Sequence, residues 1–334
     1  MARLTGKIVS GEFRAAPWLT NRHWQTMFPS LPWVSLPNPP LRRELLELPD
    51  GDVTAIDWVI AEHEEAAPLL IILHGLEGSS DSSYARMLLA VAASRGWRAG
   101  VLHFRDCGEQ RNRLPRRYHA GDTGDLRYLL DRLRAQLGQT VPLLATGYSL
   151  GGNVLLKYLG ESADSTPLAA AAAVSVPLDL RVSAQTISNG FSKYYESYLL
   201  KRMKSSVAAK FNPDTAAFNW QRVMQSSSFM EFDDAITAPL HGFADKDDYY
   251  DRCSANAFLG RIERPTLVIQ ALDDPFMGPE GLPDERRLAP AVTIEANPQG
   301  GHVGFVQAGT PWRPEFYLPD RITRFLADAI QQKA

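Results

Sequence analysis

Cysteine is scarce in this sequence, since only Cys107 and Cys253 occur among its 334 residues. The two residues lie far apart and form no C-x-x-C pair, so the sequence indicates neither a disulfide scaffold nor a thiolate metal site. A reducing compartment such as the cytoplasm fits this cysteine usage best.

Long hydrophobic runs are also missing. The apolar runs at Pro68 to Leu73 and Pro167 to Val176 fall far short of the ~20 residues that a membrane-spanning helix needs. Charged residues interrupt the N-terminal stretch from Met1 to Trp18, so this stretch does not have the pattern of a signal peptide. We therefore expect a soluble, cytoplasmic protein that does not insert stably into a membrane.

Charge of one sign is not in excess either. The formal net charge is −3, and the basic residues are spread along the chain except for a cluster from Arg105 to Arg117. Such a balance provides no strong attraction to nucleic acid or to an anionic membrane. With 45% hydrophobic residues the chain can bury a substantial core, and we expect its partner to be a small molecule. The sequence does not indicate an oligomeric state.

Proline is concentrated in the first forty residues, where it disfavours a regular helix or a central strand. We predict that residues 1–40 form an extended arm that wraps the main body. Alternating residues then flank the turn dipeptide Asp50-Gly51, which predicts a hairpin between Glu44 to Leu48 and Val53 to Ile60. The main domain is predicted to run over residues 41–334.

Short, continuously apolar runs separated by helical patterns dominate the rest of the chain. Continuous runs are typical of parallel strands that are buried on both faces. The alternation predicts an α/β fold, with a mostly parallel sheet flanked by helices. The predicted buried strands are Leu69 to Leu73, Ala99 to Phe104, Val141 to Ala145, Leu168 to Val176 and Thr266 to Gln270.

The stretch from about residue 177 to 264 breaks this alternation and is helical in composition. An insertion of this size between two buried strands is predicted to form a helical cap over one end of the sheet. Its apolar stripe could line a pocket, although such a stripe more often simply packs; its members are Phe191, Tyr194, Tyr195, Tyr198 and Leu199.

The sharpest indication of chemistry is the segment Gly147-Tyr148-Ser149-Leu150-Gly151. It follows the predicted strand Val141 to Ala145 and precedes a helix-compatible segment, which is the context that a G-x-S-x-G nucleophile elbow requires. Glycines flank the serine so that the helix and the neighbouring strands can approach its backbone. We predict Ser149 as a nucleophile, the alternative being an ordinary turn serine.

The loop after the predicted strand Leu69 to Leu73 reads His74-Gly75-Leu76-Glu77-Gly78. In a fold with this elbow, that loop donates one backbone N–H to the oxyanion, and the residue after the nucleophile donates the other. We therefore predict an oxyanion hole made by the amides of Leu76 and Leu150. His74, at the end of the strand, is expected to hydrogen-bond the loop backbone.

A serine hydroxyl needs a neighbouring base to accept its proton, and imidazole titrates in the right range. Among the seven histidines, His302 is the predicted base because glycines flank it in a loop that precedes the last helix. Its position also follows the chain order of serine, acid and histidine that is typical of α/β-hydrolases. A surface or core histidine is the alternative interpretation.

The acid is expected just past the strand that begins at Thr266, where Asp273 and Asp274 stand side by side. Either carboxylate could orient the imidazole. In other hydrolases with such an elbow the acid is generally followed by one variable residue and then by apolar ones, which favours Asp274, and Asp273 stays open as the alternative. No cluster with the spacing of a zinc or magnesium site accompanies the pair, so we predict no metal site.

A set of motifs in one order resembles the bacterial YheT-like hydrolases, in the same family as the eukaryotic α/β-hydrolase domain proteins 1 and 3. The resemblance extends from about His23 to the C-terminal helix. It rests on His23-x-Gln25-Thr26, His74-Gly75-Leu76-Glu77-Gly78, Phe104-Arg105-x-Cys107, Gly147-Tyr148-Ser149-Leu150-Gly151-Gly152-Asn153, Phe232-Asp233, Thr237-Ala238-Pro239-Leu240-His241-Gly242-Phe243, Asp273-Asp274-Pro275-Phe276 and Gly301-His302-x-Gly304-Phe305.

This resemblance implies a Ser-Asp-His triad, no cofactor, and carboxylesterase activity on short- or medium-chain acyl esters and lipids. One departure is visible in the loop after Phe104-Arg105. The family often has Gly-Cys-Gly there, whereas Asp106 precedes Cys107 in this sequence. No chemical step of such an enzyme requires the His23 motif, and we expect this part of the arm to pack against the main body.

Together, these features predict a serine carboxylesterase that works through an acyl-enzyme. Two alternatives stay open. An acyltransferase would use the same residues with an alcohol or thiol as acceptor, and a non-catalytic binding module would use the hydrolase scaffold without turnover.

Overall fold

A nine-stranded sheet forms the centre of the protein. The computed structural model describes residues 6–332; the first five residues of the predicted arm and the last two of the predicted domain lie outside the described residues. In chain order the strands are β1 Lys7–Ser10, β2 Leu41–Glu47, β3 Val53–Val59, β4 Leu69–Leu73, β5 Arg98–Leu102, β6 Leu143–Tyr148, β7 Leu168–Val174, β8 Thr266–Ala271, β9 Val292–Asn297, β10 Val306–Thr310 and β11 Arg313–Phe316.

The strand order in the large sheet is β1-β9-β8-β7-β6-β4-β5-β3-β2, and β10 and β11 form a separate hairpin. In the part of the sheet that runs β1-β9-β8-β7-β6-β4-β5, all neighbouring strands are parallel. At the other edge, β3 pairs antiparallel with β5 and with β2. The predicted, mostly parallel sheet and the predicted hairpin at Asp50-Gly51 are confirmed.

Helices cover both faces of the sheet. They are α1 Arg22–Met27, α2 Ser83–Ser94, α3 Gly124–Leu137, α4 Leu150–Ser162, α5 Leu180–Ile187, α6 Lys193–Lys210, α7 Trp220–Gln225, α8 Phe229–Phe232, α9 Ala238–His241, α10 Lys246–Cys253 and α11 Tyr317–Gln331. A π-helical turn, Asp233–Thr237, joins α8 to α9. Within residues 6–332, no helix is both long and apolar enough to cross a membrane.

The side chains of β4 pack into a separate hydrophobic core on each face of the sheet. Leu70 and Ile72 point into the core shared with α2 and α11, whereas Ile71 and Leu73 point into the core shared with α3 and α4. Successive side chains of a strand alternate between the faces of a sheet, and both faces of this strand are buried. This double burial is the physical reason for a continuous apolar run.

The helices α5 to α10 follow β7 and precede β8, within the stretch predicted as a cap. Their apolar clusters pack against Leu76, which follows β4, and against Leu150, which follows β6. They therefore lie over the carboxyl ends of the central strands. The last part of the stretch is different, because Ala255, Leu259 and Ile262 pack in the core beside the sheet.

The N-terminal segment contains more regular structure than its prolines suggested. Lys7–Ser10 extends the sheet as a parallel edge strand beside β9. Arg22–Met27 forms a helix, whose first turn is capped because the Asn21 side chain accepts hydrogen bonds from the amides of His23 and Trp24. The prediction of an extended segment without a helix was thus wrong at α1, where a local cap outweighs the neighbouring prolines.

We predict that Gly151→Ala strongly destabilises this fold. A Cβ at Gly151 would overlap the carbonyl oxygen of His74 and lie 2.6 Å from that of Leu73, and both are backbone atoms that cannot rotate away. We expect the free energy of unfolding in urea to fall by about 3 kcal/mol.

Gly124→Ala is the matched control, because nothing lies within 4 Å of its added Cβ. Its free energy of unfolding should change by less than about 1 kcal/mol. Equal stabilities of the two variants would contradict the close packing of α4 on β4.

Candidate active site

Ser149 occupies a strained turn between β6 and α4. Its backbone has φ 51° and ψ −121°, in a region that residues with side chains rarely adopt. A Cβ at Gly147 would overlap the carbonyl oxygen of Gly151, so the turn requires glycine there. Strain of this kind is typical of functional positions, and the turn presents the serine side chain at the end of the sheet.

Three predicted residues meet in one hydrogen-bonded row. Ser149 Oγ lies 3.1 Å from His302 Nε2, and His302 Nδ1 lies 2.9 Å from Asp274 Oδ2. Since a carboxylate can only accept, Nδ1 carries the proton and Nε2 faces the hydroxyl as an acceptor. The imidazole also stacks on the ring of Phe276, with centroids 4.0 Å apart, which restricts its rotation.

The two adjacent aspartates have different partners. Asp274 is 2% exposed; its Oδ2 contacts His302, and its Oδ1 accepts the amide N–H of Phe276 at 2.8 Å. Asp273 instead accepts the amide N–H of Gly301 at 3.0 Å, and burial raises its pKa. The structure therefore places Asp274 against the imidazole and Asp273 against the backbone of the same loop.

The amides of Leu76 and Leu150 are both available to a ligand. Leu76 follows β4 and Leu150 begins α4, and both residues line the pocket that contains Ser149. Within the described residues, neither amide donates to a protein acceptor. The neighbouring amide of Gly75 is occupied, because it donates to Tyr84 Oη at 2.8 Å. These two free N–H groups fit the predicted oxyanion hole.

His74 is structural, as its position suggested. It is fully buried, its Nδ1 contacts the carbonyl oxygen of Gly75 at 2.7 Å, and its Nε2 accepts the amide N–H of Phe104 at 3.0 Å. Burial lowers its pKa to about 3, so the ring stays neutral. It joins the loop after β4 to the loop after β5.

The motif His23-x-Gln25-Thr26 supports the histidine loop. Thr26 Oγ1 accepts the amide N–H of His302 at 2.9 Å. The buried Gln25 side chain accepts the amide N–H of Val306 at 2.8 Å and donates to the carbonyls of Val306 and Leu19. Sequence reasoning noted this motif but missed its partner, because the contact joins residues 276 positions apart.

The glycines of the histidine loop permit this contact. A Cβ at Gly304 would overlap the carbonyl oxygen of Gln25, and one at Gly301 would lie 2.6 Å from the carbonyl oxygen of Arg22. Gly301 also has φ 60°, a conformation that glycine adopts without strain. The loop is therefore packed tightly against α1.

Asp106, the departure from the family pattern, has φ 68° in the left-handed region where glycine is usual. Its buried carboxylate lies 2.8 Å from Arg111 and 3.4 Å from Arg117. Arg117 in turn pairs with Glu77, the residue after Leu76, at 2.6 Å. Ion pairs thus hold the loop where glycine is replaced and connect it to the loop of Leu76.

A pocket between the sheet and helices α5 to α10 opens at Ser149. Leu199 of the predicted apolar stripe lines this pocket, whereas Phe191, Tyr194 and Tyr198 are exposed at the surface. Most of its wall is apolar, formed by Leu76, Leu150, Leu180, Ala184, Ile187, Leu199, Met203, Phe229, Phe232, Ile236, Leu240, Phe276 and Met277. Such a wall suits a hydrocarbon chain.

Comparison with known proteins shows the family and the fold of this chain. The family model described as the alpha/beta hydrolase fold matches residues 68–308. The chain belongs to the α/β-hydrolase family. It is 40% identical to YheT of Escherichia coli strain K12, over 97% of this chain and 96% of that protein. It is 29% identical to mouse phospholipase ABHD3, over 97% of this chain and 80% of that protein.

Among solved structures, the esterase Pf2001 of Pyrococcus furiosus superposes on this α/β-hydrolase with a TM-score of 0.57. The sequence identity is 14%, and the match covers 98% of each chain. At this identity, the likeness concerns the fold alone. The resemblance to YheT-like hydrolases and the predicted fold class are both confirmed.

We predict that Thr26→Val loosens the histidine loop. The valine keeps the shape of threonine but removes the acceptor for the His302 amide. Loss of one such bond should speed amide hydrogen exchange of the peptide that spans residues 300–306 by about fivefold, as measured by mass spectrometry.

Thr26→Ser is the control, because it retains Oγ and should exchange at the rate of the unmodified protein. Equal exchange rates in the valine and serine variants would show that Thr26 does not hold the loop.

Proposed function

We propose that this α/β-hydrolase is a serine carboxylesterase. The observation that carries the proposal is the row from Asp274 through His302 to Ser149, with distances of 2.9 and 3.1 Å, at the mouth of an apolar pocket. One relative of this chain is named a phospholipase, and this name supports an ester as the substrate. The reaction then follows from the positions of these groups.

In the first step, Ser149 Oγ attacks the carbonyl carbon of the ester while His302 Nε2 takes the hydroxyl proton. Asp274 stabilises the imidazolium that forms, because its carboxylate already accepts from Nδ1. His302 then donates the proton to the departing alcohol oxygen. The carbon–oxygen bond of the ester breaks, and the acyl group stays on Ser149.

The negative charge that develops on the carbonyl oxygen is stabilised by the amides of Leu76 and Leu150. Both N–H groups lack a protein acceptor within residues 6–332, so they can bind the oxyanion without breaking another bond. Leu150 also begins α4, a helix whose N-terminus favours negative charge. In the second step, water activated by His302 attacks the acyl-enzyme and releases the acid.

The substrate class follows from the pocket. Its apolar wall favours an aliphatic group beside the ester, so short- to medium-chain acyl esters and lipid esters are the proposed substrates. Each CH₂ that leaves water for this wall contributes about 0.8 kcal/mol to binding. We therefore expect kcat/KM for p-nitrophenyl esters to rise with chain length until the pocket is filled.

We predict that Ser149→Ala abolishes ester hydrolysis. Removal of the nucleophile should lower kcat for p-nitrophenyl butyrate by on the order of 10⁶-fold. Ser183→Ala, another serine of the pocket wall, is the matched control and should keep most of the activity. Normal turnover by the Ser149 variant would overturn the proposal.

We predict that replacing each of the two aspartates by asparagine lowers kcat to very different extents. Asp274→Asn should lower kcat by about 10⁴-fold, because an amide nitrogen facing Nδ1 favours the wrong tautomer of His302. Asp273→Asn keeps an oxygen that can accept from Gly301, and its loss should be about fivefold or less. The opposite order would exchange the roles of the two residues.

A further inference from the structure

Two histidines of the pocket wall take no part in the proposed reaction. His119 lies in the loop before α3, and His241 is the last residue of α9; their ring centroids are 4.5 Å apart. Both line the pocket that contains Ser149. In the part of the chain that the structure describes, no hydrogen bond joins either ring to Ser149, His302 or Asp274.

Three of the four nitrogen atoms of these rings have no hydrogen-bond partner among the described residues. His119 Nδ1 accepts the amide N–H of Gly121 at 3.1 Å, with the Cys253 thiol 4.0 Å away. Burial lowers the pKa of both imidazoles to about 3, so each ring is neutral and carries one proton. The proton of His119 is therefore on Nε2, where it can be donated.

No described residue accepts or donates a hydrogen bond at His119 Nε2 or at either nitrogen of His241. None of these nitrogens is a fully enclosed polar atom without a partner, so each keeps some accessible surface, and both residues line the pocket. Polar groups in such a setting are normally satisfied by water or by a ligand. The two rings thus offer one fixed donor and a second group that can donate or accept.

Hydrogen bonds hold the surroundings of the two rings in place. Tyr249 Oη accepts the amide N–H of Ala120 at 3.0 Å, which joins α10 to the loop of His119. The carboxyl group of Asp233 accepts from Tyr250 Oη at 2.8 Å and from Thr237 Oγ1 at 2.7 Å, which joins α10 to the π-helical turn before α9. Turns of this kind occur frequently at functional sites.

The charges near the pocket do not favour an ionic ligand. Three residues of its wall can carry a charge: Glu77, Arg117 and Asp233. Glu77 and Arg117 neutralise each other at 2.6 Å, and burial raises the pKa of Asp233 to about 6, which favours its neutral form. The aromatic rings that contact His119 are those of Phe243 and Tyr249, and other side chains of the wall, such as Leu240, are apolar. A ligand atom between the two imidazoles would therefore be polar but uncharged.

We propose that His119 and His241 form a recognition site for a neutral oxygen, a hydroxyl or a carbonyl, carried by the part of the ester that occupies this pocket. This proposal rests on the proposed esterase function and defines its substrate class more closely. The preferred substrates carry a second oxygen on the acyl chain or on the alcohol, because a plain hydrocarbon would leave the imidazoles without partners.

The test compares matched substrates in two arms. The first arm uses p-nitrophenyl esters of 4 to 12 carbons, roughly the range that a drug-sized pocket holds, each ending in a methyl, a hydroxyl or a carboxylate group. The second arm uses acetates of 1-alkanols and of the corresponding diols. The quantity measured is the ratio of kcat/KM for the hydroxyl-ended ester to that for the methyl-ended ester of the same length.

We expect this ratio to exceed one at the best chain length in one arm, which also shows which half of the ester enters the pocket. His119→Phe and His241→Phe should each lower the ratio by about fivefold or more. His63→Phe, which removes an exposed histidine elsewhere on the surface, should leave it unchanged. If His119→Phe fails to fold, His241→Phe alone decides the test.

A ratio of one or less at every length in both arms would overturn the proposal. A ratio that stays unchanged in both His119→Phe and His241→Phe would also overturn it. A preference for the carboxylate-ended esters would overturn it too, because the ligand would then be charged. These outcomes differ from a failure of the proposed function, in which Ser149→Ala would still hydrolyse the methyl-ended esters.

Discussion

The hydrogen bond between Ser149 Oγ and His302 Nε2 is the interaction on which the rest of the site depends. The two residues are 153 positions apart; Ser149 itself has a positive φ, and so do Gly301 and Val303 on either side of His302. Ser149 is placed by the turn between β6 and α4. His302 is placed by a loop that has no regular structure of its own, so other parts of the chain must hold it.

Three segments provide that support. Asp273 binds the amide of Gly301, Thr26 binds the amide of His302, and Ser175 Oγ accepts the amide N–H of Val303 at 3.0 Å. Consecutive backbone N–H groups are thus fixed by the loop after β8, by α1 and by the end of β7. The N-terminal segment is therefore part of the site's framework, and its packing explains why glycines surround the histidine.

Elements with a strong local signal could be predicted from the sequence. The buried strands were recognisable as continuous apolar runs. The elbow was recognisable because close backbone contacts require glycine at positions such as Gly147 and Gly151 in any turn of this kind. The chain order then selected His302. The choice between Asp273 and Asp274 remained open because both follow the same strand, and only the direction of each side chain separates them.

Features that depend on distant contacts could not be predicted. The helix α1 occurs in a proline-rich segment because Asn21 caps it, and its role depends on a loop 276 residues away. The pairing of Asp106 with Arg111 and Arg117 likewise became visible only in three dimensions. A local pattern shows which residues can form an element but not which distant surface that element will contact.

The most direct test of this account is to locate a covalent adduct. The protein would be treated with an alkyl fluorophosphonate, digested, and sequenced by mass spectrometry. We predict one phosphonylated residue, Ser149, and no adduct when His302 is replaced by alanine. An adduct on a different residue, or no adduct on a protein that hydrolyses esters, would contradict the central claim.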